Sequence, residues 1–74
     1  MKKVEAAEEI LKREGFHQYR ARHHGELCRI EVDTADFDTI YSPEVRERLV
    51  DELRRIGYRY VCLDLAGYRT GSTA

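Results

Sequence analysis

The chain has little of almost everything that marks a specialised protein. Its 74 residues include only two cysteines and one proline. No apolar run comes near the ~20 residues that a bilayer-spanning helix needs. That excludes a transmembrane span, and the length excludes a second domain or a large enclosed active site. Neither sign of charge dominates: 13 Lys and Arg stand against 14 Asp and Glu, a net charge of −1. The balance argues against a dedicated nucleic-acid or membrane-surface binder. Met1-Lys2-Lys3-Val4-Glu5 runs into an acidic helical pattern, without the apolar run of a signal peptide. Cys28 and Cys62 stand 34 residues apart with no Cys-x-x-Cys pair, so a disulfide framework is not expected. Both sit in apolar strand patterns and read as buried free thiols of a reducing, cytoplasmic compartment.

The catalytic inventory is equally thin. The two serines are Ser42, before a helix, and Ser72, in the tail, and neither has a histidine at a defined spacing. No glycine-rich phosphate loop precedes a helix, and there is no internal repeat, linker or low-complexity segment. His23-His24-Gly25-Glu26 could be read as a metal cluster. However, adjacent histidines at a turn point apart, and no Cys or third His stands nearby, so a hairpin tip is the better reading.

What is present is one modest core, with 42% apolar residues, in a chain that is 36% charged. Val4, Ala7, Ile10 and Leu11 recur at helical spacing and predict an amphipathic helix over residues 2–14, stopped by Gly15. Residues 16–23 and 26–32 read as strands joined by a tight turn at His24-Gly25. Asp33 is placed to cap a short helical turn running to Ile40. Ser42-Pro43-Glu44 opens a second long helix, carried by Val45, Leu49, Leu53 and Ile56 and stopped by Gly57. Residues 58–65 read as a third strand, followed by a polar tail. The expected fold is therefore α+β in the order α-β-β-α-β. It comprises a three-stranded, mainly antiparallel sheet with two helices on one face, and residues 1–74 make a single domain.

Strand alternation then assigns the other face. Tyr19, Ala21, Cys28, Ile30, Val32, Val61 and Leu63 form the apolar set. Opposite them stand Arg20, Arg22 and Arg29 beside Glu31, with Tyr60 and Asp64 close by. Three guanidiniums on adjacent strands suit a phosphate or another oxyanion. The same face also reads as ordinary cross-strand pairing of Arg with Glu in solvent. Gly71-Ser72 could form an anion-binding nest or simply end a frayed tail.

Several blocks together carry a resemblance. They are Val4-Glu5-Ala6-Ala7-Glu8 with Gly15-Phe16, Arg20-Ala21-Arg22-His23-His24-Gly25-Glu26-Leu27-Cys28-Arg29-Ile30-Glu31-Val32, Gly57-Tyr58-Arg59-Tyr60-Val61, and Asp64-Leu65-Ala66-Gly67-Tyr68-Arg69-Thr70-Gly71-Ser72. Over almost its whole length the chain resembles the C-terminal region of the ATP-dependent sacrificial sulfur transferase (LarE) family, in the PP-loop superfamily. The resemblance implies an enzyme whose N-terminal PP-loop domain uses ATP to adenylate a pyridinium biscarboxylate mononucleotide. A cysteine between that domain and this region then gives up its sulfur. The product goes toward the nickel-pincer cofactor of lactate racemase.

By the same resemblance, Arg20 and Arg22 match an Arg-x-Arg pair placed to bind the substrate phosphate, and Glu8 and Glu31 match acidic positions that can bind a divalent metal. Asp36 or Asp38 matches a further acid. The PP-loop and the donor cysteine have no counterpart here, and Thr73-Ala74 replaces the family's usual Met-Asn-Glu. Alone, the chain is not expected to use ATP or donate sulfur, and no cofactor is expected in it. The expected partners are a PP-loop domain or further copies of the chain, together with an anionic small molecule. The alternative is a non-catalytic oligomerisation or protein-interaction module using the open sheet face.

Overall fold

A computed structural model describes residues 2–69 of the chain. Helix α1 (Lys2–Arg13) has a basic last turn, Lys12 and Arg13, which suits the negative end of its dipole. Strands β1 (Tyr19–His24) and β2 (Leu27–Val32) form an antiparallel hairpin, with Tyr19 opposite Val32 and His24 opposite Leu27. Gly25 takes φ +59° at the first loop position and Glu26 keeps a negative φ, as a II′ hairpin turn requires. The loop is thus Gly25-Glu26, one residue later than the sequence suggests.

Asp33 caps the next turn as expected: its carboxylate accepts the Ala35 N–H at 2.9 Å. A 3-10 turn (Thr34–Asp36) runs directly into α2 (Phe37–Tyr41). Helix α3 (Pro43–Ile56) begins at Ser42-Pro43, but the Ser42 hydroxyl does not cap it. That hydroxyl donates back to the Thr39 carbonyl at 2.9 Å, because α2 ends there with open acceptors. Gly57, at φ +125°, closes α3 and leads into β3 (Tyr60–Leu63).

The α+β class and the order helix, strand, strand, helix, strand are as expected. The sheet is mixed, however, in the order β1-β2-β3, with β3 parallel to β2. A strand reached through a crossover helix such as α3 returns in the direction of the strand that fed the helix, whereas a two-residue turn must reverse it.

The apolar sides of α1, α3 and the sheet meet in one core. It contains Ala7, Ile10, Leu11, Phe16, Ala21, Cys28, Ile30, Val32, Ile40, Leu49, Leu53 and Tyr58. The helices therefore share one face of the sheet and leave the other to solvent. Outside the core, Arg48 of α3 grips Glu14 just beyond α1 through two parallel bonds of 2.8 and 2.9 Å. Among the described residues, no helix is long and apolar enough to cross a membrane.

Two tests follow from this packing. Leu53 is 0% exposed, so Leu53→Ala should lower unfolding free energy by about 2–5 kcal/mol in chemical denaturation. The Arg48 guanidinium holds the Glu14 carboxyl below its usual range, chiefly through their hydrogen bonds. A depressed carboxyl stabilises the fold above its unfolded-state pKa and loses that stabilisation as pH falls through its folded value. Arg48→Ala should therefore be less stable than the parent at neutral pH. The gap should close in acid, as read from denaturation midpoints across pH.

Candidate functional site

The open face of the sheet is organised by β2, the central strand. Its alternation sends Cys28, Ile30 and Val32 into the core, and Arg29 and Glu31 outward. Antiparallel register sets Arg22 directly opposite Arg29 and Arg20 opposite Glu31. Two guanidiniums face to face would repel one another. Glu31 relieves this: its Oε2 lies 3.3 Å from Arg22 Nε and 3.4 Å from Arg29 Nη2. Glu31 is only 8% exposed, so it acts as a buried counter-ion for both.

The segment after β3 completes the site. Asp64 accepts the Ala66 N–H on its side chain and the Gly67 N–H on its carbonyl, at 2.9 and 3.0 Å. This turn needs φ +84° at Gly67, where a Cβ would stand 2.8 Å from Thr34 Cγ2. Glycine thus permits the chain to fold back, and the Tyr68 N–H then bonds the Val32 carbonyl at 2.8 Å. The result is a depression of about 370 Å3 lined by Arg22, Arg29, Glu31, Asp64, Ala66, Gly67 and Arg69.

Three guanidiniums face two carboxylates in this lining, which leaves one positive charge over. The ion pairs are long: charge-assisted N–H···O bonds usually measure about 2.7–2.9 Å. Each guanidinium carries five N–H donors, and few are used. Arg29 Nε is buried without a hydrogen-bond partner and sits 3.6 Å from Asp64 Oδ2, in charge contact only. Spare, converging donors in a concave site are what an oxyanion requires.

Of the residues singled out from sequence, Arg22, Arg29 and Glu31 come together here. Arg20 shares their face but not the depression; its guanidinium lies 6.0 Å from the Tyr68 ring. Glu8 stands on the helix side, where its carboxylate accepts the Ala21 N–H at 3.0 Å along the outer edge of β1. Glu8 and Glu31 thus belong to separate clusters. No group of three or more His, Cys, Asp or Glu among the described residues is disposed to hold a metal ion. Asp36 and Asp38 lie in the turn and helix beyond β2, away from this lining. His23 Nδ1 pairs with the Tyr58 hydroxyl at 2.8 Å, and His24 is exposed at the hairpin tip. Gly71 and Ser72 lie outside the described residues.

Arg69 and Gly67 were not legible as site residues. The only signal was the Gly67-Tyr68-Arg69 block itself, which lies beyond the last periodic strand pattern.

The cysteines also differ from one another. Both are free thiols; Cys28 is fully buried, but Cys62 is only half-buried. Burial pushes the Cys28 thiol up to about 11. It raises Cys62 too, against the opposing pull of Arg29. A native-state thiol titration should therefore modify Cys62 first and leave Cys28 unreacted until the protein unfolds.

This is a small α+β domain with an arginine–carboxylate pocket on the open face of its sheet. No family model matches the chain. It is 38% identical over 68 residues to pyridinium-3,5-bisthiocarboxylic acid mononucleotide synthase of Lactiplantibacillus plantarum, covering 92% of this chain and 24% of that protein. It is 34% identical over 71 residues to an uncharacterized protein of Synechocystis, covering 96% of this chain and 26% of that one. The chain spans about a quarter of the length of these curated relatives. The match bears out the resemblance read from the sequence: this chain is similar to one segment of that LarE synthase.

Proposed function

We propose that this chain is the substrate-phosphate-binding domain of an ATP-dependent sulfur transferase acting in nickel-pincer cofactor synthesis. The relative from Lactiplantibacillus is a synthase of a pyridinium mononucleotide, a molecule that carries a phosphate. The observation that carries the reading is the set Arg22, Arg29 and Arg69 around one depression, together with an Arg29 Nε that is buried without a hydrogen-bond partner.

In this reading the guanidiniums take the phosphate oxygens. Glu31 keeps Arg22 and Arg29 side by side before substrate arrives, so little reorganisation accompanies binding. Asp64 holds Arg29 from the other side and shapes the turn that delivers Arg69. Arg20, stacked by Tyr68, supports the positive potential at the rim. ATP use, carboxylate activation and sulfur donation belong to the part of the enzyme that this chain does not resemble. Glu8 and Glu31 enter as isolated acidic positions. Each would need ligands from elsewhere to hold a divalent metal, and no step is routed through one.

Inorganic phosphate and nicotinic acid mononucleotide should both perturb the Arg22, Arg29 and Arg69 side-chain signals in an NMR titration. Losing a charged hydrogen bond costs about 1.5–3 kcal/mol, so Arg29→Ala should weaken binding roughly ten- to hundredfold. Arg13→Ala, on α1, should leave it unchanged. Unmoved arginine signals at millimolar phosphate would overturn the reading.

A further inference from the structure

Tyr58 is a phenol set in the core. It is 1% exposed, between the end of α3 and the start of β3. Among the described residues its hydroxyl has one hydrogen-bond partner, His23 Nδ1 at 2.8 Å. The His23 ring is half-buried on β1 and tilts against the phenol at 60°, with centroids 5.4 Å apart. Neither residue lines the phosphate depression.

The chemistry of the pair fixes where the protons sit. A buried hydroxyl must donate, because an unmade bond leaves the full desolvation cost of the group. The Tyr58 proton therefore goes to Nδ1, and His23 carries its own proton on Nε2. The Lys3 ammonium of α1 lies 5.7 Å from the centre of the Tyr58 ring. A cation there favours the phenol as donor and a neutral imidazole as acceptor. Cys28, opposite His23 on β2, is a buried thiol and adds no charge.

The pair ties down the part of β1 that carries Arg22. β1 is an edge strand, paired through its backbone on one side only. Arg22 stands between two residues that are held from outside the hairpin. Glu8 of α1 takes the Ala21 N–H at 3.0 Å, and Tyr58 takes the His23 ring. The same short segment holds the other strand. The Arg59 and Tyr60 N–H groups both bond the Glu26 carbonyl, at 2.8 and 3.0 Å, just before β2. Residues 58–60 thus grip both strands of the hairpin near its tip. Arg22 and Arg29 form the cross-strand pair next to His23 and Cys28.

We propose that His23 is a positioning residue for the phosphate site. Held by Tyr58 as its neutral Nε2–H tautomer, it fixes β1 where Arg22 meets Arg29 and Glu31. The role rests on the phosphate reading of the open face, but the tie itself is measurable without any ligand.

The test uses the whole 74-residue chain at mildly alkaline pH, with inorganic phosphate as the probe. Long-range proton–nitrogen spectra should show His23 with a bare Nδ1 and a protonated Nε2. Tyr58→Phe keeps the ring and removes the hydroxyl. It should mix the His23 tautomers and speed exchange of the Arg22 Nε–H, which donates to Glu31, with water. It should also weaken phosphate binding roughly tenfold, the lower end of what outer-sphere partners are worth at metal sites. His23→Leu should do the same to Arg22 and to phosphate. The double variant should be no worse than either single one, because the same bond is lost in each. His23→Asn offers an amide oxygen in place of Nδ1 and should keep both properties near the parent. Ile40→Val, a core truncation elsewhere, should lower stability without moving the Arg22 exchange or the phosphate affinity. A parent His23 protonated at Nδ1, additive losses in the double variant, an Arg22 Nε–H indifferent to Tyr58→Phe, or phosphate affinity kept by both single variants overturns the proposal. If the parent itself fails to bind phosphate, the phosphate reading falls instead, and the Arg22 exchange still decides whether the pair positions that side chain.

Discussion

Strand β2 is bonded on both sides, to the hairpin partner β1 and to the crossover strand β3, and every other part of the molecule is hung on it. Its alternation is strict. Cys28, Ile30 and Val32 are sunk among the helices, while Arg29 and Glu31 stand on the far side. A slip of one residue would exchange the two sets, burying two charges and exposing the core. The register is therefore held by the core, and the open face inherits its geometry from it. The facing of Arg22 and Arg29 across the ladder is a consequence of how Ala21 meets Ile30 on the other side.

That constraint makes Glu31 more than a surface partner. Its pairs join a buried carboxylate to half-exposed guanidiniums over long bonds of 3.3 and 3.4 Å, so their direct contribution to stability is modest. The effect of Glu31 is positional. It lets two guanidiniums occupy adjacent strands without mutual repulsion and keeps both aimed at the same depression. Gly67 acts at the other wall, because no side chain fits there beside Thr34 and the chain must fold back to bring Arg69 across. A pocket with spare donors is thus assembled from a hairpin, a crossover strand and one turn.

Much of this was readable in the linear pattern. The spacing of Ala7, Ile10 and Leu11 and of Val45, Leu49 and Leu53 marked the two long helices, and period-two alternation separated the arginine face from the apolar one. Some local expectations shifted. Ser42 spends its hydroxyl on the preceding helix, whose last turn leaves the Thr39 carbonyl open to it. The strands are shorter than their patterns; β3 stops at Leu63, opposite Ile30, because the chain turns at Asp64 to Gly67 while β2 continues to Val32.

The sequence by itself determined what can be settled by short-range chemistry: element types, the order α-β-β-α-β, the faces of each strand, and the absence of a catalytic triad or phosphate loop in this chain. The tertiary structure alone decided that β3 joins parallel to β2, that Glu8 guards an edge while Glu31 serves the arginines, and that Arg69 enters the pocket. Those outcomes depend on contacts between residues far apart in the chain. Periodicity shows which way a side chain faces, but only packing and strand order show what it meets.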